Sequence, residues 1–337
     1  MRNRDRSAAR PVPSWNTPSP GAPTVRDFTP EPGDTLQEIL RGLRADVPRF
    51  PSRLLYDARG SELFERITET ADYYPTRTEI AIMRERVGEM ADLLGSDTLL
   101  IEYGSGSGVK TRLLLNELDR PVGYVPIETS REALDASVEL LSKTCPDLPV
   151  HPVCADYTSH YEVPRTERAS HRRAAFFPGS TIGNFAPDEA LEFLTHIAET
   201  CGAGGGLLIG VDLNKDTATL ERAYDDSEGV TREFEFNVLD HVNRIADADF
   251  DKDRFRYEAT YVESAMRIDM ELVSRAAQTV RIGPESVRFD GGDRILCEHA
   301  HKFTLSSFAD LAGRSGFRVE RVWTDPAELF SVQYLTC

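Results

Sequence analysis

Leu99-Leu-Ile-Glu-Tyr-Gly-Ser-Gly-Ser-Gly-Val-Lys110 decides how the rest of the chain is read. It is an apolar strand that runs into a glycine-rich turn, with a helix behind it over Lys110–Leu115. Gly104, Gly106 and Gly108 alternate, so the backbone can turn sharply and a ligand can approach without a Cβ in the way. The helix start beyond them offers free N–H groups. A turn of this kind serves nicotinamide, flavin and S-adenosylmethionine (SAM) folds alike, and a bare strand–helix turn with no ligand has the same look.

Working outward, the βα rhythm continues on the C-terminal side. Val122–Ile127 predicts a second strand ending at Glu128, and Arg131–Lys143 a helix. Val150–Cys154 predicts a third strand ending at Asp156, Arg173–Phe177 a fourth, Asp188–Glu199 a helix, and Gly206–Val211 a fifth strand ending at Asp212. This spacing predicts a parallel sheet with crossover helices. From Asp216 to about Ala300 the rhythm stops. Helices over Thr219–Tyr224 and Thr231–Arg244 give way to strands over Phe255–Val262, Arg267–Ser274 and Gln278–Ile282, which predicts an inserted domain. The helix Leu305–Ser315 and two β-rich runs, Phe317–Trp323 and Phe330–Thr336, close the chain as a hairpin.

On the N-terminal side, residues 1–34 are rich in Pro, Arg, Ser and Thr and read as a disordered tail. Leu36, Ile39, Leu40 and Leu43 repeat at helical spacing. Ser61–Ile67 reads as a short helix. Tyr73 and Tyr74, before Pro75, are expected to be extended, with Thr78 capping a helix from Glu79 to Leu94.

The 337 residues carry a net charge of −17, which argues against a nucleic-acid or anionic-membrane partner. No apolar run approaches the roughly 20 residues of a membrane span, and the N-terminus lacks the apolar core of a secretory signal. Five cysteines without a CxxC pair predict no disulfide framework. A cytoplasmic monomer is the expectation.

Ligands of parallel α/β sheets sit beyond the carboxyl ends of the strands. Glu102, Glu128 and Asp156 fall there. An acid after the second strand suits a ribose diol, and one after the third suits an adenine amino group. Each alone is an ordinary turn residue, but the three together favour an adenosine ligand. The terminal hairpin favours a SAM-dependent methyltransferase over a nicotinamide oxidoreductase, the competing enzyme class; a non-catalytic SAM-binding protein is a third reading. Lys110 suits the cofactor's carboxylate, whereas Arg112 reads as an exposed helix face. The seven histidines show no HExxH pattern. His299 and His301 are read as facing opposite sides of their strand, and no metal is expected. Gly179-Ser-Thr-Ile-Gly183 differs from a nucleophile elbow in having Thr181 at its centre.

Several stretches together resemble one family, from about Leu36 to the C-terminus: Leu55–Phe64, Tyr73–Glu79, Tyr103–Arg112, Gly179–Asn184, Asp212–Asp216, Ala223–Asp226 and Glu298–Phe303. They are similar to the histidine Nα-methyltransferases of ergothioneine biosynthesis, a group with relatives that methylate other amino acids, including a prenylated tryptophan. The resemblance implies a Rossmann-like class I SAM methyltransferase sheet with a terminal antiparallel hairpin (78–215 and 303–337). It also implies a smaller α+β substrate domain (35–77 and 216–302). It implies cofactor contacts at Gly104, Lys110, Glu128, Asp156 and Tyr157. The catalytic cradle for the amino-acid head group would be Tyr73, Asn184 and Tyr224, with Gly179 in the same wall. The side-chain pocket would be Tyr56, Met270, Glu298 and Ala300, with Glu298 facing an imidazole. The implied reaction is N-methylation of a free amino acid, histidine first, to a trimethylated betaine. Two departures touch the substrate: Ala300 stands where the family has Ser, and Cys297 where it has Thr or Asn.

Overall fold

The computed structural model describes residues 25–28, 32–106, 108–156 and 161–337. The chain enters at a sheet edge with β1 (Arg26–Asp27), then α1 (Pro32–Leu43), α2 (Ala58–Glu69) and α3 (Tyr74–Leu94). The βα rhythm follows: β2 (Thr98–Tyr103), α4 (Val109–Leu115), β3 (Gly123–Glu128), α5 (Arg131–Thr144), β4 (Val153–Cys154), β5 (Arg172–Phe177), α6 (Pro187–Cys201) and β6 (Gly206–Asp212). Next come α7 (Thr217–Tyr224), α8 (Val230–Ile245), β7 (Phe255–Val262), β8 (Arg267–Ser274), β9 (Gln278–Ile282), β10 (Glu285–Phe289) and β11 (Arg294–His301). The chain ends with α9 (Leu305–Arg314), β12 (Arg318–Thr324) and β13 (Phe330–Thr336).

The main sheet runs β1-β4-β3-β2-β5-β6-β13-β12. It is parallel from β1 to β6, and antiparallel where β13 joins β6 and β12. The chain moves outward from β2 to β3 and β4, then returns to the other side of β2 as β5 and β6. That reversal opens a crevice at the carboxyl ends of β2 and β3, the place where such sheets take ligands. Every residue of β2 and β6 is buried, as expected of strands covered on both faces. This is the Rossmann-like arrangement with a closing hairpin that the sequence predicts.

A second apolar cluster lies apart from the sheet. It gathers Ile39, Leu55, Leu63 and Tyr73 from the N-terminal helices with Leu220, Val238, Leu272 and Ile295 from the insertion. Its β part is a three-stranded antiparallel sheet, β11-β8-β7, and a β9–β10 hairpin. The register between β11 and β8 shifts between Leu296 and Glu298, which leaves Cys297 unpaired and sets Glu298 opposite Met270. A bulge of this kind re-aims the side chain that follows it.

Three local expectations change. Within the stretch read as a disordered tail, Arg26 and Phe28 donate backbone bonds to Pro152 O (3.1 Å) and Cys154 O (2.8 Å); an edge strand's free backbone groups invite such an addition. β4 is shorter than Val150–Cys154 because Pro152 has no N–H for the ladder. Helix α3 starts at Tyr74 rather than Glu79, with Pro75 in its first turn, where a missing N–H costs nothing. Thr78 is therefore not its cap, and its hydroxyl donates back to Tyr74 O at 2.8 Å.

Candidate active site

A cleft of about 1560 Å³ opens between the sheet ends and the second cluster. Its lining brings together Gly104, Gly106, Glu128 and Asp156 on one side with Tyr56, Phe64, Asn184 and Glu298 on the other. Tyr73, Tyr224, Lys110, Gly179, Met270 and Ala300 are not in that lining. Tyr157 lies outside the described residues.

On the sheet side the glycine turn is built as the sequence requires. Gly104, Gly106 and Gly108 have φ of 76°, 43° and 68°, a region in which a Cβ is strained. The Gly104 N–H donates to Ile127 O at 2.9 Å, which ties the turn to the end of β3. Glu128 Oε1 accepts from the N–H groups of Thr129 (2.8 Å) and Ser130 (3.3 Å). These bonds orient the carboxylate and leave Oε2 for a ligand. Such an open, backbone-lined turn beside a half-satisfied carboxylate fits an adenosyl group.

Glu102 does not act with Glu128 and Asp156. It is buried within the sheet, accepting from Thr111 Oγ1 at 2.8 Å and from the Tyr124 hydroxyl. Burial pushes its carboxyl up to about 8, against the pull of those two donors. It is a structural acid.

Lys110 and Gly179 meet on a residue to which the sequence reading gave no role. Glu79 is wholly buried; it takes Lys110 Nζ at 2.5 Å and the Gly179 N–H at 2.9 Å. The signal was present, since Glu79 ends the Tyr73–Glu79 motif, but a glutamate in a helix repeat looks like surface.

On the other side, Asn184 ends a 3-10 turn over Thr181–Asn184. The turn lies flat on β11 because Gly183 has no side chain; a Cβ there would come within 2.6 Å of His301 O. Ser180, at φ 57°, is held by the Asp212 N–H donating to its Oγ at 2.9 Å. This placement lets Asn184 Nδ2 donate to Glu298 Oε1 at 2.9 Å. The Tyr56 hydroxyl approaches the same carboxyl at 3.4 Å. Burial raises Glu298 to about 8, and the two neutral donors only moderate that. Met270 and Ala300 are buried beside it, Met270 directly across the ladder.

Tyr73 and Tyr224 pack edge to face with centroids 5.9 Å apart, and Tyr73 meets Phe64, a cleft residue, at 6.4 Å. Both phenols are pushed well above their ordinary value, chiefly by burial. Behind them lies a buried ionic cluster. Asp212, at the end of β6, accepts from Lys302 Nζ (2.7 Å), Lys215 Nζ (2.7 Å) and the Tyr74 hydroxyl (2.8 Å). Lys302 also donates to the Tyr224 hydroxyl at 2.6 Å.

His299 and His301 face the same side of β11, with ring centroids 5.7 Å apart, and not opposite sides as first read. Residues two apart on a strand share a face. His299 Nδ1 pairs with Asp269 at 2.9 Å. No helix of the described residues is long and apolar enough to cross a membrane.

Comparison with known proteins matches residues 35–337 to the family described as histidine-specific methyltransferase, SAM-dependent. A histidine N-alpha-methyltransferase of Mycolicibacterium smegmatis is 39% identical over 88% of this chain and 92% of its own length. One from Mycobacterium tuberculosis is 38% identical with the same coverage. Ergothioneine biosynthesis protein 1 of Neurospora crassa is 31% identical over 83% of this chain, a match to 32% of that longer protein. A SAM-dependent methyltransferase structure from Clostridium acetobutylicum superimposes with a TM-score of 0.47 at 10% identity, covering 82% of this chain and 98% of that one. With its whole length beyond residue 34 matched, the chain belongs to the SAM-dependent, histidine-specific methyltransferase family.

Proposed function

We propose that the protein methylates the α-amino nitrogen of free L-histidine, with SAM as donor, through to the trimethylated betaine. The observation that carries this is Glu298: a buried carboxyl in the cleft wall, held by Tyr56 and Asn184. A buried carboxyl needs a polar partner, and an imidazole N–H is a good one. Because Asn184 serves both the head-group side and Glu298, a substrate that uses both must be short, as histidine is.

Glu128, Asp156 and the Gly104–Gly108 turn hold the adenosyl group in this reading. Bound SAM supplies a methyl on a sulfonium, so no protein nucleophile is required. The protein's work is alignment: a head group fixed against the cofactor and an amine with its lone pair free. Asn184 has a donor and an acceptor for the head group, and Tyr73 and Tyr224 bring hydroxyls. The N-terminal helices and the insertion, 35–77 and 216–302, form the substrate domain.

A second reading, a larger aromatic amino acid of the tryptophan kind, is favoured only by the apolar wall that Ala300 and Cys297 make beside Glu298. Incubation with SAM and equimolar histidine, tryptophan, tyrosine and phenylalanine, read by mass spectrometry, separates the two. Histidine gaining up to three methyl units supports the proposal; another main product leaves the methyltransferase and removes histidine. Asn184→Ala and Tyr224→Phe are expected to impair turnover at low substrate while SAM affinity, by calorimetry, stays near wild type.

A further inference from the structure

The cluster behind Tyr224 is the part of the molecule that the proposed reaction does not yet use. Lys302 and Asp212 are 2% and 0% exposed. A buried ion pair is poor evidence of a stabilising role, since apolar residues of similar volume often serve as well or better. What marks this pair is its third member. Lys302 Nζ donates to Tyr224 Oη at 2.6 Å and lies 4.4 Å from the ring centroid. An ammonium has no acceptor, so the phenol's own proton points away from Lys302. Among the described residues no group accepts it. The charges are also unequal: two ammoniums, Lys215 and Lys302, share the one Asp212 carboxylate. Asp325 stands on the Lys215 side, where its oxygens take the N–H groups of Ala327, Leu329 and Phe330.

We propose that Lys302, clamped by Asp212, is a positioning residue: it holds the Tyr224 hydroxyl as a donor toward the substrate's α-carboxylate and supplies the positive charge that this carboxylate faces. The inference rests on the amino-acid head-group reading given above. It accounts for a zwitterionic substrate in a cradle otherwise made of neutral hydroxyls and an amide. It also keeps the Tyr224 proton directed at one acceptor and away from the amine lone pair, which must stay free.

The test compares kcat/KM for L-histidine and L-histidinamide, whose head group has no negative charge, at saturating SAM. Wild type is expected to prefer histidine strongly. Lys302→Met is expected to lose about tenfold or more on histidine, the scale of one charge-assisted bond. The amide loses little, so the preference narrows by the same factor. Lys302→Arg restores part of it. In a Tyr224→Phe background the Lys302→Met change costs clearly less than in wild type, because the hydroxyl that Lys302 aims is gone and only its charge remains. Asp212 keeps Lys215 and Tyr74 as partners in the Met variant, and SAM calorimetry checks the fold; should that variant not fold, Lys302→Gln, which also removes the charge, is read in its place with Lys302→Arg as the charge-keeping control. An unchanged histidine-to-amide ratio, or full additivity in the double variant, overturns the proposal. Failure of wild type to methylate histidine at all overturns the substrate reading instead, and the ratio is then taken with the amino acid that the competition assay identifies and its amide.

Discussion

The two ends of the cleft are built on different principles. At the end proposed for the cofactor, groups are placed by backbone and by neighbours in sequence: three glycines with positive φ, and a Glu128 oriented by the next two residues. At the end proposed for the amino acid, the side chains are tied to others from far along the chain. Asn184 meets Glu298 across 114 positions, Tyr224 meets Lys302 across 78 and Tyr74 meets Asp212 across 138. The first end follows from local conformation. The second exists only once two cores have packed together, so its substitutions are expected to reach beyond the residue changed.

The sharpest contrast is between two buried carboxyls. Burial raises both, but Asp212 has two ammoniums against it, which hold its carboxyl below the usual range. Glu298 has only neutral donors and rises to about 8. The largest effect is therefore expected at Asp212. Asp212→Asn takes from Lys302 the carboxylate it pairs with and leaves Lys215 only the charge of Asp325, at a cost of about 3–5 kcal/mol. Urea unfolding at pH 7 measures it, and a loss under about 1 kcal/mol would mean that the lysines shed their charge cheaply.

Glu298 comes next, with the opposite pH behaviour. Its folded value lies above the 4.5 of a free carboxyl, so between about pH 4.5 and 8 the folded protein keeps a proton that the unfolded chain has released. Stability then falls as pH rises through that window. Glu298→Gln is expected to flatten the fall between pH 5 and 8, though not abolish it, since Glu102 behaves alike. Asp212 contributes the reverse: its stabilisation is complete above about pH 4 and is lost as pH falls through its lowered value. For function, Glu298→Ala removes the ring partner and should raise the histidine KM at least several-fold and relax selectivity toward tryptophan. A histidine KM within twofold of wild type would move the ring elsewhere.

How legible each region was in the sequence follows the same division. β7, β8 and β9 fall on the predicted residues, because alternation is a local signal. The sheet order follows from the βα rhythm and the closing hairpin. The start of α3 was misplaced because a proline reads as a stop before it reads as a first-turn residue. Glu128 and Asp156 were visible as strand-end acids. Asp212 was visible in the same way, but its partners Lys215 and Lys302 were not, although all three sit in the quoted motifs: a lysine beside a β run carries no mark of the aspartate that it meets 90 positions away. Glu79 was hidden in the same way.

The cofactor end should answer more simply. Glu128→Ala removes one charge-assisted contact to a ribose, costing about 1.5–3 kcal/mol of SAM binding, with histidine KM and pH behaviour left alone because no residue of the ionic cluster touches it. Calorimetry with SAM reads the first and steady-state kinetics the second. Unchanged SAM affinity would remove Oε2 from the site; a changed histidine KM would break the separation between the two ends.

The smallest effect tests how close the substrate comes to β11. Ala300 is 4% exposed and lies two residues beyond Glu298, on the same strand face. A hydroxyl added there by Ala300→Ser enters an apolar wall and needs a partner. Without substrate it has none to hand, so the variant should be less stable than wild type by about 1 kcal/mol, the order of an unsatisfied hydroxyl. With histidine bound, a ring nitrogen becomes that partner, and a neutral hydrogen bond of about 0.5–1.5 kcal/mol lowers KM several-fold. The two effects have opposite signs and are read separately. Thermal unfolding without ligand should show a lower Tm, and added histidine should raise Tm more in the variant than in wild type. A lower Tm with no change in KM would leave the hydroxyl orphaned in both states and set the ring beyond reach of Ala300, with Glu298 and Tyr56 alone defining the side-chain pocket.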